Sequence, residues 1–87
     1  MPHQINIAYF AWVKEGLGRD QDIISYPENV ETIGQLIEYL QSKDAVYGDV
    51  FANLKRLRFA LDQEFAGLDA KLNKASELAI FPPVTGG

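Results

Sequence analysis

The sequence predicts a single α+β domain: a mixed sheet with one main helix packed across it and a short second helix. Three observations lead there. Apolar residues alternate at period two near both ends, over Ile5–Val13 and over Glu77–Phe81. Between them Ile33, Leu36, Ile37 and Leu40 follow the i, i+3, i+4, i+7 spacing of one helix face. At 87 residues, 47% of them hydrophobic, the chain can build one core and has no room for two. The predicted division is a domain over residues 1–81 and a flexible tail over 82–87.

The first strand is predicted over Ile5–Val13. One face carries Ile5, Ile7, Tyr9, Ala11 and Val13. The other carries Asn6, Ala8, Phe10 and Trp12, which is more apolar than a solvated face needs. Lys14–Asp22 is polar with two glycines and reads as a loop, and Ile23–Tyr26 as a second strand stopped by Pro27. Thr32 with Gln35 forms a capping box that opens the main helix. Val46, Val50 and Leu54, beside Tyr47 and Phe51, suggest the shorter helix. A strand follows over Leu57–Leu61, a turn at Asp62–Gln63 and a short continuation over Glu64–Gly67. Leu68–Ser76 is irregular, and Glu77–Phe81 is the last strand. Strands at both ends around one amphipathic helix fit a β-grasp arrangement, in which the first and last strands are both central. Their second faces would then join into one apolar patch.

Several function classes are excluded on composition. There is no cysteine, hence no thiolate chemistry and no disulfide frame, which suits a cytoplasmic protein. His3 is the only histidine and sits near the N-terminus, leaving neither a triad nor a histidine metal site. A net charge of −4 argues against nucleic acid. No apolar run is long enough to span a membrane.

The unusual stretch is the last one, Phe81-Pro82-Pro83-Val84-Thr85-Gly86-Gly87. Two prolines fix φ, lack N–H groups and favour an extended path. Two glycines then leave a backbone without side chains, ending in an unhindered carboxylate. This ending resembles that of the small, sulfur-carrier subunit of molybdopterin synthase, a ubiquitin-like β-grasp family. Tyr9-Phe10-Ala11 is similar to that family's first strand, and Ala60-Leu61-Asp62-Gln63-Glu64-Phe65 to its third-strand turn. The chain departs from the family at Asp62, where asparagine is usual, and at Lys74-Ala75, where an Asp-Gly turn is usual.

The resemblance implies a function for the tail. An E1-like adenylating enzyme would use ATP to activate the Gly87 carboxylate, and a sulfur donor system would convert it to a thiocarboxylate. The synthase's large subunit would then accept the tail, and the sulfur would pass to cyclic pyranopterin monophosphate. In this scheme Gly87 bears the reactive atom and Pro82, Pro83, Val84, Thr85 and Gly86 insert into the partner. Phe10, Phe65 and Phe81 match the family's apolar docking surface. The chain would bind no cofactor or metal and supply no catalytic side chain. The implied assembly is a heterotetramer, two small subunits on a dimer of large ones. A thiamine-pathway sulfur carrier and a ubiquitin-like protein modifier are the alternatives that share a Gly-Gly ending.

Overall fold

The computed structural model describes residues 3–83, so the expectations for Val84, Thr85, Gly86 and Gly87 lie outside the described residues. Its elements are β1 (Gln4–Tyr9), α1 (Ala11–Leu17), β2 (Gln21–Ser25), α2 (Ile33–Lys43) and α3 (Ala45–Val50). A 3₁₀ turn at Leu54–Arg56, β3 (Arg58–Leu61), β4 (Glu64–Ala66) and β5 (Glu77–Phe81) complete the order. The strands form one mixed sheet in the order β2-β1-β5-β3-β4. β1 and β5 run parallel in register Ile7↔Leu78 and Tyr9↔Ile80; the other pairings are antiparallel. The first and last strands are therefore neighbours, and both are interior to the sheet.

One face of the sheet is the core. Ile5, Ile7 and Tyr9 of β1, Phe59 of β3, and Leu78 and Ile80 of β5 are buried there. The α2 stripe Ile33, Leu36, Ile37 and Leu40 is buried with them. Each such side chain contributes roughly 1.5–3 kcal/mol by leaving water. The capping box forms as expected: Gln35 N donates to Thr32 Oγ1 at 3.2 Å, and Gln35 Oε1 accepts from Thr32 N at 3.3 Å. Asp44 separates the two helices and caps α3, its Oδ1 accepting from Val46 N at 3.1 Å. On α3 the buried residue is Tyr47, followed by Phe51 just beyond; Val46 and Val50 are only partly buried.

The predicted first strand is corrected. It ends at Tyr9, and the span read as the end of a strand and a loop is α1. Ala11 takes φ 54°, a left-handed conformation that breaks the strand without a glycine. Val13 and Leu17 are buried because they lie four apart on a helix, not because of a period-two face. Gly18, at φ 77°, closes α1 by donating its N–H to Lys14 O at 2.9 Å. Asp62 (φ 46°) and Gln63 (φ 74°) form the predicted tight turn between β3 and β4. Asp62 Oδ1 also accepts from Ser76 N and Glu77 N, both at 3.0 Å, and so fixes the start of β5. The Lys74 departure falls in a second turn, with Asn73 at φ 48° and Lys74 at φ 58°.

Candidate docking face and tail root

No helix covers the second face of the sheet among the described residues. Strand alternation puts Asn6 and Ala8 of β1, Arg58 and Ala60 of β3, and Glu77, Ala79 and Phe81 of β5 on it. Ala8, Ala79 and Ala60 are register partners across three strands, and Phe65 of β4 pairs with Ala60. This row of methyl groups forms a shallow floor, and the aromatic rings stand at its margin. Phe65 is 85% exposed and Phe10 50%. Rings of this size and exposure on one open sheet face are outside the core, and an apolar patch of this kind is a candidate interaction surface.

The structure brings the three predicted phenylalanines to one end of that face. The Phe65 and Phe81 rings lie 6.0 Å apart at 53°. Phe10 N donates to Ile80 O at 3.2 Å, so the chain beyond β1 stays beside β5 and Phe10 comes level with Phe81. Phe81 is half-buried, and Pro82 and Pro83 lead away from it. A groove of about 580 Å³ opens at this point, lined by Arg58, Phe59, Phe65, Ala66, Gly67, Phe81 and Pro83. Phe65 is thus no core residue, and Pro83 takes part in the surface from which the tail departs. Trp12, which the period-two reading placed on the same patch, is elsewhere. It lies on α1 under the Arg56 guanidinium, 5.2 Å from its ring centre, in a separate groove with Val46 and Val50.

Two further residues belong to this face. Ile23 on the edge strand β2 is 59% exposed. Arg58 is the Cα partner of Phe81 and shares its face. Its alternation with Phe59 was the available signal.

A polar network lies on the opposite side of Tyr9. The Tyr9 and Tyr47 hydroxyls both donate to Asp22 Oδ2, at 2.7 and 2.6 Å. Arg19 Nε lies 2.8 Å from Asp22 Oδ1, and Arg19 also donates to the Tyr47 hydroxyl. Burial, followed by the Asp22 carboxylate, raises the Tyr9 pKa far above the tyrosine range. Burial pushes the Asp22 carboxyl up, but donation from Tyr47, Tyr9 and Arg19 outweighs it and leaves the pKa below its usual value. The network ties α3 and the α1–β2 connection to the end of β1, one residue before Phe10.

Among the described residues, no group of three or more His, Asp or Glu side chains could hold a metal ion. No helix among them is long and apolar enough to cross a membrane. The open face itself offers aromatic rings, methyl groups and a guanidinium. Such a surface can bind a protein and orient what is attached to it.

The ThiS family matches residues 7–87. The chain is 36% identical to the molybdopterin synthase sulfur carrier subunit of Dictyostelium discoideum, with all of both chains covered. It is 29% identical to the human protein of that name, covering 97% of this chain and 94% of the relative. Among solved structures, SAMP1 from Haloferax volcanii superposes with a TM-score of 0.74 at 21% identity, covering 97% of this chain and 99% of the other. A putative molybdopterin converting factor, subunit 1, from Pyrococcus furiosus gives 0.71 at 21% identity, covering 93% and 98%. At that identity the likeness concerns the fold, which is the ubiquitin-like β-grasp.

Proposed function

This chain belongs to the ThiS family, and from that premise we propose that it is the sulfur carrier of molybdopterin synthase. The observation that carries the reading is the end-to-end similarity to curated sulfur carrier subunits of that synthase. The geometry supports it, since the tail leaves from a central strand beside an uncovered aromatic face.

In the proposed cycle Gly87 is the site of chemistry. A free α-carboxylate has a pKa of about 3.3–3.7, so it is an anion and a poor electrophile at neutral pH. An E1-like partner joins it to AMP from ATP, with release of pyrophosphate. A persulfide sulfur from the donor system then displaces AMP to form an acyl disulfide. A second thiol of that system attacks the donor's own sulfur of the S–S bond, forms a disulfide with it and releases the Gly87 thiocarboxylate. The large subunit takes Pro82, Pro83, Val84, Thr85 and Gly86 along a narrow path, and the sulfur passes to cyclic pyranopterin monophosphate. Glycines suit such a path because a Cβ would meet its walls. Prolines lower the entropy lost when the segment is ordered. Phe10, Phe65 and Phe81 seat the domain on the partner. The acid–base groups and the phosphate site belong to the large subunit, in a heterotetramer located in the cytoplasm.

Intact-mass measurement after incubation with the activating enzyme, ATP and a persulfide donor tests this. The expected product is the full chain with one oxygen exchanged for sulfur, and removal of Gly87 abolishes it. Isopeptide adducts to other proteins without any thiocarboxylate would overturn the carrier reading in favour of a modifier. Rescue of thiamine synthesis but not of molybdoenzyme activity would move it to the thiamine pathway.

A further inference from the structure

The groove at the tail root is apolar on most of its wall and carries one fixed cation. Arg58 Nη1 donates to Lys55 O at 3.1 Å and to Leu57 O at 2.8 Å, which holds the guanidinium in place. Its other nitrogens have no hydrogen-bond partner among the described residues. The one ion pair among those residues is Arg19–Asp22, so no described carboxylate compensates Arg58. The local sequence sharpens the contrast. The chain is acidic overall, yet three of its eight basic residues fall within Lys55–Arg58, and no acidic residue occurs between Asp49 and Asp62.

Resting on the carrier reading above, we propose that Arg58 is a specificity residue: the groove accepts a partner that presents a carboxylate beside an apolar side chain. The occupant is the protein that receives the tail. Pro83 lines the groove beside Arg58, Phe65 and Phe81, so a protein that receives the tail approaches these residues at its root. Docking removes water from the guanidinium. An apolar partner surface would then leave a charge without a counterion, which is strongly unfavourable. A carboxylate instead meets the free edge of the guanidinium, where paired N–H···O bonds are short and directional. The phenylalanines supply contact area to any apolar surface. Arg58 discriminates, because it penalises those that lack the acid.

The test is titration calorimetry of the full chain against the recombinant large subunit of molybdopterin synthase from the same organism. Arg58→Gln is expected to weaken binding several-fold, and Arg58→Glu by about tenfold or more. Wild-type binding should weaken with added salt more steeply than that of Arg58→Gln. Replacing one acidic residue of the large subunit by lysine should restore binding to Arg58→Glu and to no other variant. Circular dichroism of each variant confirms that the exposed substitution leaves the fold intact. Arg58→Glu binding within twofold of wild type, while Phe65→Ala binds weakly, would overturn this inference and leave the carrier reading standing. Failure of the wild-type chain to bind the large subunit at all would overturn both.

Discussion

Replacing Asp22 by alanine should destabilise the domain by about 2–4 kcal/mol. The Tyr9 side chain is buried, and Asp22 Oδ2 is the acceptor of its hydroxyl. A buried hydroxyl left without a partner costs about 1–3 kcal/mol. The Tyr47 hydroxyl also loses Asp22 but keeps Arg19, which limits its share. The Arg19–Asp22 pair is partly exposed on both sides and adds at most about 1 kcal/mol. Urea unfolding followed by circular dichroism should show a lower midpoint at an unchanged slope. A cycle with Tyr9→Phe isolates the principal term, because the Asp22 substitution should cost less once the hydroxyl is gone.

The pH dependence follows from the depressed Asp22 pKa. The folded protein holds this carboxyl ionised at pH values where the unfolded chain has taken up a proton. The network's contribution is therefore complete above the ordinary aspartate value of about 3.9, and it disappears as pH falls through the lower folded-state value. Asp22→Ala should flatten that part of the acid limb. A loss below about 0.5 kcal/mol, with additive behaviour in the cycle, would refute the assignment of the network as a stabilising tie.

Phe65→Ala should leave the unfolding free energy in urea within about 0.5 kcal/mol of wild type, since the ring is exposed, while weakening capture by the large subunit in a titration. Asp62→Asn should be close to neutral, because an amide oxygen can accept from Ser76 and Glu77 and asparagine tolerates φ 46°. Asp62→Ala loses both bonds and should cost about 1–3 kcal/mol in the same unfolding assay. Thr32→Ala removes half of the capping box and should cost about 1 kcal/mol by thermal or urea unfolding.

The order of β2, α2, α3, β3, β4 and β5 was legible from their apolar segments and the turns or caps between them, and so were the faces of α2, β3 and β5. On α3 the Val46–Val50 stripe is only partly buried, and Tyr47 faces the core instead. The α2 stripe agrees with the observed burial at every position. Helix α1 was not legible for a physical reason. Its N-cap is Phe10, which offers no side-chain hydrogen bond, and the break from β1 rests on Ala11 in a left-handed conformation that alanine does not signal. Ala11 and Val13 also continue the alternation of β1. The surviving clue was Val13 and Leu17 at i, i+4 ahead of Gly18. That missed helix carried Trp12 off the docking face. Phe10, Phe65 and Phe81 were legible through the family resemblance, and the register now groups them at one end of the face. Arg58 was readable as an outward strand residue. Its lack of a carboxylate partner emerges only from the packed structure.

The position of β5 also bears on how the domain carries load. A partner that draws the tail into a tight channel pulls on the end of a strand bonded to β1 on one side and to β3 on the other. Beside β1 the force acts along two parallel strands, so their hydrogen bonds are sheared together instead of being unzipped one at a time. A tail attached to an edge strand such as β2 could be peeled away under the same pull. In the proposed cycle, this attachment between two neighbours keeps the sheet folded each time the tail is inserted and withdrawn.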